Sequence, residues 1–239
     1  LAKLRAERAA DKRLALLFWN APDGEKNLSA SHLNVPRSIE ALLPKLKDAG
    51  YAVETASEDA IIRDAQALLG GYYRPESMGD LIARDLAVAL PVDRYTQWLK
   101  TLPAKRQAEL NSKWGDPASS PFVRTVNGTK SFVFPRLRLG SLIVMPQPPR
   151  AGRIGQATHD TNAIPSHYYL AAYLYLREVW ATHAIIHFGT HGAQEWTQGK
   201  DRGLWSGDYP WLTVGDVPVF YPYIQDNIGE AMQAKRRGR

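Results

Sequence analysis

Two imidazoles and one carboxylate lie within nine residues of this sequence: His187, His191 and Glu195, each separated from the next by three residues. They follow the apolar run 184–186, which predicts a buried strand. Because two glycines stand between them, we expect a strand end, a turn and the start of a new helix rather than one continuous helix. Histidine nitrogens and carboxylate oxygens suit a labile divalent metal or acid–base chemistry. The same spacing also fits a buried strand histidine, a loop histidine bonded to the backbone and a helix-capping glutamate.

A second pair of polar residues, His159 and Asp160, lies in a loop rich in glycine and proline that follows the predicted strand 142–145. In an open α/β sheet, the loops at the carboxyl ends of the strands gather around one crevice. We therefore expect His159 and Asp160 to face His187 across that crevice. A solvated polar turn is the alternative interpretation.

A third polar loop, residues 22–32, follows the predicted first strand, 14–19. The same rule places this loop at the same crevice. Its Lys26 and Asn27, together with serine hydroxyls and backbone N–H groups, are suited to binding carboxylates or phosphates. The loop lacks the G-x4-G-K-[ST] spacing of a P-loop. An ordered surface loop with a helix cap is the alternative interpretation.

The composition limits the class of protein. The 239 residues are 44% hydrophobic and 23% charged, and the absence of cysteine excludes disulfides and thiolate metal sites. A net charge of +6 suits an anionic ligand, but the basic residues are scattered except at the two ends, so no nucleic-acid partner is expected. No apolar run approaches the ~20 residues of a membrane span, and we expect a cytoplasmic protein. The start at Leu1 and the basic final stretch predict a segment of a longer protein.

The order of the predicted elements indicates an α/β fold. A strand at 14–19, a helix at 38–49 and a strand at 51–55 predict a right-handed βαβ unit with a parallel sheet. We therefore expect residues 1–239 to form one α/β domain with an open, mainly parallel sheet flanked by helices, in a Rossmann/flavodoxin-like topology. Residues 72–126 are expected to form a mainly helical insertion within this domain.

Three further patterns lie in the second half of the chain. Asn127-Gly128 predicts a tight hairpin turn between two strands. Ser166 can cap a helix that runs to Trp180 and is apolar nearly all round, which predicts that the helix is buried. Aromatic residues are dense after Glu195, where they could wall a flat apolar ligand or simply form core. They are Trp196, Trp205, Tyr209, Trp211, Phe220, Tyr221 and Tyr223.

Three blocks of sequence, in the same order along the chain, match one family. They are Gly24-Glu-Lys-Asn-Leu-Ser-Ala-Ser31 with Asn34-Val-Pro-Arg-Ser38; Asn162 to Trp196, with Pro165-x-His167-Tyr168-Tyr169, Leu176-Arg177-Glu178 and His187-x-Gly-x-His191-Gly192-x-x-Glu195-Trp196; and Tyr221-Pro222 to Asp226, with Gly229-Glu230-Ala231 and Gln233-Ala-Lys-Arg-Arg237. These blocks resemble the large subunit of the class I tetrapyrrole metal chelatases. That family comprises the CobN subunit of cobaltochelatase and the H-type subunit of magnesium chelatase, and the resemblance leans towards CobN. Gln194 stands where the family usually has an apolar residue.

The resemblance implies that this chain is one internal domain of a much larger subunit that binds a tetrapyrrole and inserts a divalent metal. The favoured reaction is insertion of Co²⁺ into hydrogenobyrinic acid a,c-diamide in cobalamin biosynthesis. Insertion of Mg²⁺ into protoporphyrin IX, and a non-catalytic CobN-like paralogue, are the alternatives. The resemblance also implies that ATP is hydrolysed by separate AAA+ partner subunits of the CobS/CobT or I/D type and is not bound here. The isolated segment is then expected to be inactive.

The resemblance also suggests roles for individual residues. Glu195 is expected to accept protons or bind the metal, and His187 and His191 to face the metal or relay protons. The candidates for contacts with the macrocycle are His159, Lys26, Asn27, Lys200 and Arg202. A metal-dependent hydrolase, in which Glu195 activates a metal-bound water, and a module that only binds a tetrapyrrole or a metal are the rival interpretations.

Overall fold

The computed structural model describes residues 2–20, 23–30, 33–152, 160–189 and 194–222, together with positions 232 and 235. The strands are β1 (Leu14–Phe18), β2 (Ser29–Ala30), β3 (Leu33–Asn34), β4 (Ala87–Pro91), β5 (Val123–Val126), β6 (Thr129–Pro135), β7 (Leu137–Leu139), β8 (Leu142–Pro146), β9 (Ala184–Phe188) and β10 (Val219–Phe220). The α-helices are α1 (Ala2–Ala6), α2 (Val35–Asp48), α3 (Glu58–Tyr73), α4 (Met78–Ala83), α5 (Val92–Leu99), α6 (Ala104–Trp114), α7 (His167–Leu174) and α8 (Tyr209–Val214). A π-helical turn, Tyr175–Val179, continues α7.

The central sheet has five strands in the order β10-β9-β1-β8-β7. The pairs β10–β9, β9–β1 and β1–β8 are parallel, and only the edge strand β7 runs antiparallel. The predicted α/β class with an open, mainly parallel sheet is therefore confirmed. No helix within the described ranges is long and apolar enough to cross a membrane.

The predicted strand at 51–55 is wrong. The structure has only a single antiparallel bridge there, between Val53 and Gly140. The edge next to β8 is taken by β7, because a tight turn joins these two strands and lets β7 pair with β8 directly. The sheet partners of β1 are accordingly β8 and β9, which are distant in sequence, and the predicted βαβ unit of consecutive strands does not form.

The segment 72–126 contains strands as well as helices. Its strands β4 and β5 pair with β6 in a separate antiparallel sheet in the order β4-β6-β5. Sequence periodicity favoured helix throughout 72–114 and missed β4, which is only five residues long and is followed immediately by α5. The hairpin at Asn127-Gly128 is confirmed, with φ of 47° and 79° at these two residues. A separate insertion with these bounds stays a prediction.

Strand β1 supplies both sides of the sheet with core residues, because alternate side chains of a strand point to opposite faces. Ala15 and Leu17 belong to the core that contains α7 and β6, whereas Leu14, Leu16 and Phe18 belong to the core under α2 and α3. All eight residues of α7 are buried, as predicted, but the π-helical turn that continues it towards Trp180 exposes Glu178 and Val179. Helix α7 is thus held between the parallel sheet and the antiparallel sheet, and Tyr168 donates a hydrogen bond of 2.8 Å to the Val133 carbonyl.

His167, the first residue of α7, joins three segments of the fold. Its Nδ1 lies 2.8 Å from the Tyr95 hydroxyl and its Nε2 lies 3.1 Å from the Gly115 carbonyl oxygen. A carbonyl can only accept, so Nε2 carries the proton and Nδ1 accepts from Tyr95. Burial lowers the pKa of His167, although the Gly115 hydrogen bond opposes this effect. The structure therefore holds this histidine in its neutral form.

We predict that acid destabilises the fold in part through His167. Since its pKa is lowered in the folded state, the unfolded chain binds the proton more readily, and this contribution to stability is lost as pH falls below about 6.5, the ordinary histidine value. Urea unfolding at pH 7 and at lower pH should show a smaller loss of unfolding free energy for His167→Gln than for wild type. An equal loss for both proteins would contradict the prediction.

Candidate active site at the carboxyl edge of the sheet

His187 lies near the carboxyl end of β9, where β9 pairs with β1, and Leu17 is its register partner. The side chain is buried, with 1% of the residue exposed. The backbone turns immediately afterwards at Gly189, with φ of 152°. A Cβ there would lie 2.9 Å from the Cβ atoms of both Ala30 and Trp19, so only glycine allows this close turn. The predicted strand end and glycine turn are therefore confirmed at this point.

A hydrogen-bond chain holds the His187 ring. Gln147, the first residue after β8, donates from Nε2 to the Tyr173 hydroxyl oxygen at 3.1 Å, and this hydroxyl lies 2.9 Å from His187 Nε2. The Tyr173 hydroxyl thereby fixes the orientation of the imidazole, with Nε2 as the nitrogen that it contacts.

Glu195 and Arg150 are a second pair of charged residues at this edge, and both are buried, with 1% and 4% exposed. Burial lowers the pKa of the Arg150 guanidinium, and charge interactions with Tyr169, Asp160 and Glu195 oppose that effect. Burial also raises the pKa of Tyr169 well above its ordinary value, and Tyr173 and Glu195 add to the increase.

The residues at this edge form one buried cluster, because Tyr169 joins its two parts. Its ring centroid lies 5.0 Å from that of Tyr173, which contacts His187, and the charges of Arg150 and Glu195 act in opposite directions on the pKa of its hydroxyl. We call this group the edge cluster; it comprises Gln147, Arg150, Tyr169, Tyr173, His187 and Glu195.

Glu195 is carried by a short 3-10 turn, Gln194–Trp196, rather than by the regular helix that the sequence predicted. Gln194 is fully buried and its amide donates a hydrogen bond of 3.0 Å to the Pro210 carbonyl. The Thr197 hydroxyl closes the turn on the Gln194 carbonyl at 2.6 Å. The hydrogen bond from Gln194 to Pro210 thus ties the turn to α8.

The loop after β1 presents Lys26 and Asn27 in different ways. The Asn20 amide at the end of β1 donates to the carbonyls of Gly24 and Asn27 and so shapes the loop. The side-chain oxygen of Asn27 accepts from the Ser29 hydroxyl at 2.8 Å, which is a structural contact within the loop. Lys26 is exposed and remains available to a ligand.

Lys200 and Arg202 are also exposed, on the segment that follows Glu195. Some of the aromatic residues nearby are core residues, and others are exposed and could line a ligand site. Tyr209 is fully buried and belongs to the core, whereas Trp205, Trp211 and Phe220 are each at least 44% exposed. Tyr223 lies outside the described residues.

Of the predicted site residues, the structure brings His187 and Glu195 into one cluster. His159 and His191 lie outside the described residues. No three His, Asp or Glu side chains converge as a metal-binding group in the described part of the chain, so the metal-ligand set of His187, His191 and Glu195 stays a prediction. Sequence reasoning missed Gln147, Arg150 and Tyr173. Two signals in the sequence could have found them. Gln147 and Arg150 are polar residues that follow a buried strand, and Tyr173 carries a hydroxyl within a largely apolar helix.

The domain is of the open α/β class. Its sheet is mainly parallel, and buried histidine, carboxylate and arginine side chains lie at the carboxyl edge of the sheet. The sequence model of the CobN/Magnesium Chelatase family matches residues 1–239, the whole chain, and the chain therefore belongs to that family.

Several relatives align with nearly all of the chain. The aerobic cobaltochelatase subunit CobN of a Sinorhizobium species is 32% identical over 99% of this chain, and that of Pseudomonas aeruginosa is 33% identical over 99%. The H-type subunit of magnesium chelatase from Chlorobaculum parvum is 30% identical over 99%. The chain spans only 18% to 19% of the length of these relatives.

A solved structure shows the same similarity. The catalytic subunit of cobaltochelatase from Mycobacterium tuberculosis superposes with a TM-score of 0.77 at 32% identity, and the match covers 99% of this chain and 20% of that protein. The likeness in fold and the likeness in sequence therefore extend over the same residues.

We predict that Tyr173→Phe loosens the edge cluster. The substitution leaves the buried Gln147 amide and His187 Nε2 without the hydroxyl that joins them, at a cost of about 1–3 kcal/mol in unfolding free energy. Tyr175→Phe is a matched control, because the Tyr175 hydroxyl has no hydrogen-bond partner among the described residues and its ring packs on Phe134. Chemical denaturation of both variants checks this prediction, and equal losses would contradict it.

Proposed function

We propose that this chain is a segment of the large subunit of an ATP-dependent tetrapyrrole metal chelatase, and that the edge cluster lies where a divalent metal enters the macrocycle. The observation that carries the proposal is the buried cluster of His187, Tyr173, Arg150 and Glu195 at the carboxyl edge of the sheet. Family membership over the whole chain supports it.

Metal insertion requires that two protons leave the pyrrole nitrogens and that the metal sheds water. A carboxylate near the macrocycle accepts such protons, and Glu195 is the buried carboxylate of the edge cluster. Arg150 is the buried cation of the same cluster, and Glu195 is among the charges that oppose the lowering of its pKa. His187, held by Tyr173 through Nε2, is proposed to face the reacting centre. His187, His191 and Glu195 together would hold the metal substrate while its water ligands are exchanged.

The macrocycle carries peripheral carboxylates that need cationic or amide partners. We assign three exposed cationic side chains to these carboxylates: the ammonium groups of Lys26 and Lys200 and the guanidinium group of Arg202. Asn27 and His159 complete the set of candidate macrocycle contacts.

Co²⁺ and hydrogenobyrinic acid a,c-diamide are the favoured substrates, in cobalamin biosynthesis in the cytoplasm. Support comes from the two CobN relatives, which are 32% and 33% identical to the chain, against 30% for the magnesium-chelatase relative. Mg²⁺ with protoporphyrin IX is the alternative. AAA+ partner subunits of the CobS/CobT or I/D type are proposed to hydrolyse the ATP. The segment by itself is proposed to be inactive, because it spans about a fifth of the length of its relatives.

We predict that Glu195→Gln in the full-length protein lowers the rate of metal insertion at least ~100-fold, the usual size of a general-base contribution. The amide is nearly isosteric with the carboxylate but cannot take up the pyrrole protons. Affinity for the metal-free macrocycle should stay close to that of wild type. Single-turnover absorbance changes with ATP and the AAA+ subunits measure insertion, and an absorbance titration measures affinity.

Glu178→Gln is the matched control for this experiment. Glu178 is about half exposed, and its one ion pair in the described part of the chain is a long contact of 3.8 Å with Arg94, so its replacement should not change the insertion rate. Insertion by Glu195→Gln at the wild-type rate would overturn the assigned role. Failure of the wild-type protein to bind any tetrapyrrole would overturn the proposed function itself.

A further inference from the structure

A buried arginine on α6 connects this helix to both ends of the segment 198–208, which follows the Glu195 turn. Arg106 donates from Nε to the Gly207 carbonyl at 2.7 Å and from Nη1 to the Gln198 side-chain oxygen at 3.2 Å. Its Nη2 lies 3.0 Å from an oxygen of Asp208. All three donor atoms of one guanidinium are thus used on this segment, and Nη1 also contacts Glu109 of α6.

Asp208 closes the same segment from inside. Its second carboxylate oxygen accepts from the backbone N–H of Lys200 at 3.2 Å and from that of Trp205 at 2.9 Å. The next residue, Tyr209, donates its backbone N–H to the Gln198 carbonyl. The buried Asp208 carboxylate therefore holds the start and the middle of the segment close to its end.

The outer side of this closed segment presents positive charge and an aromatic ring. Lys200 and Arg202 are exposed, and the exposed Asp201 stands between them in sequence, so these three residues carry one net positive charge. The Trp205 indole is 44% exposed and rests on the backbone of Gly207, where a Cβ would lie 2.5 Å from the ring. The lack of a side chain at Gly207 thus leaves room for the ring.

The ion pair itself suggests a positioning role. Arg106 and Asp208 have side-chain exposures of only 7% and 5%, so both charges have lost most of their hydration. Burying such a pair brings little net stability, because desolvation offsets the attraction, and an apolar pair of similar size is often as stable. The geometric effect of the pair is specific, since the planar guanidinium fork directs three contacts at once.

We infer that the Arg106–Asp208 pair is a positioning device that presents Lys200, Arg202 and Trp205 as a preformed recognition surface for a flat ligand with peripheral carboxylates. The two cations bind carboxylates at the rim, and the indole packs on the face of the ring. The inference rests on the proposed function and adds to it the residues that set the affinity for the macrocycle. Arg106 and Asp208 act through the segment and need not touch the ligand.

The test is a double-mutant cycle in the full-length protein, measured by absorbance titration with hydrogenobyrinic acid a,c-diamide. Asp208→Asn should weaken binding about tenfold, while the insertion rate at saturating macrocycle stays unchanged. Arg202→Gln should weaken binding in the wild-type background and have a much smaller effect in the Asp208→Asn background. Arg106→Lys keeps the charge but loses the fork, and should repeat the behaviour of Asp208→Asn.

Lys105→Gln is the matched control, because it removes a positive charge from the adjacent position of α6, where the side chain is 77% exposed and makes only a long contact of 3.9 Å with Glu109 among the described residues. It should leave binding unchanged. The methyl-esterified macrocycle should bind more weakly to wild type and be insensitive to Arg202→Gln.

Two results separate the two proposals. If wild type binds the macrocycle and the effects of Asp208→Asn and Arg202→Gln multiply independently, the pair has only a structural role and this inference is overturned alone. If wild type binds no tetrapyrrole, the proposed function fails first.

Discussion

The parallel register of β8, β1 and β9 is the constraint on which the rest of the site depends. Leu17 of β1 is paired with Met145 of β8 on one side and with His187 of β9 on the other. The strands therefore end together, and Gln147 and His187 emerge at the same edge although they are 40 positions apart in sequence. Helix α7, buried along its whole length, brings Tyr173 between them. A register shift of one residue would point His187 to the opposite face of the sheet.

Packing and chemistry are closely coupled in α7. Its Tyr168 fills the core between the two sheets, whereas Tyr169 and Tyr173 turn their hydroxyls towards the edge cluster. A fully buried large side chain contributes on the order of 1.5–3 kcal/mol to folding, so the helix that orients His187 is also among the most strongly held parts of the fold. Arg106 also couples packing to the site. It is a buried residue of α6, and it holds the segment 198–208, which follows Glu195 in sequence.

Much of the fold could be predicted from local pattern. Helices α2, α3 and α7 have apolar residues at helical spacing or throughout, and Asn127-Gly128 marks the hairpin. The strand predicted at 51–55 is wrong, because β7 already occupies the edge of the central sheet that these residues approach. At the site, His187 and Glu195 could be predicted from residue type and spacing. Gln147, Arg150 and Tyr173 could not, because their contacts arise only when distant strands pair and α7 packs across them.

The central claim is that the edge cluster is the place where metal and pyrrole protons are exchanged. The most direct measurement is a structure of the full-length protein with metal-free hydrogenobyrinic acid a,c-diamide bound. We expect the four ring nitrogens to face Glu195 and His187, within hydrogen-bonding distance or one water molecule away. A macrocycle bound in a competent complex with its centre remote from Glu195 would contradict the account.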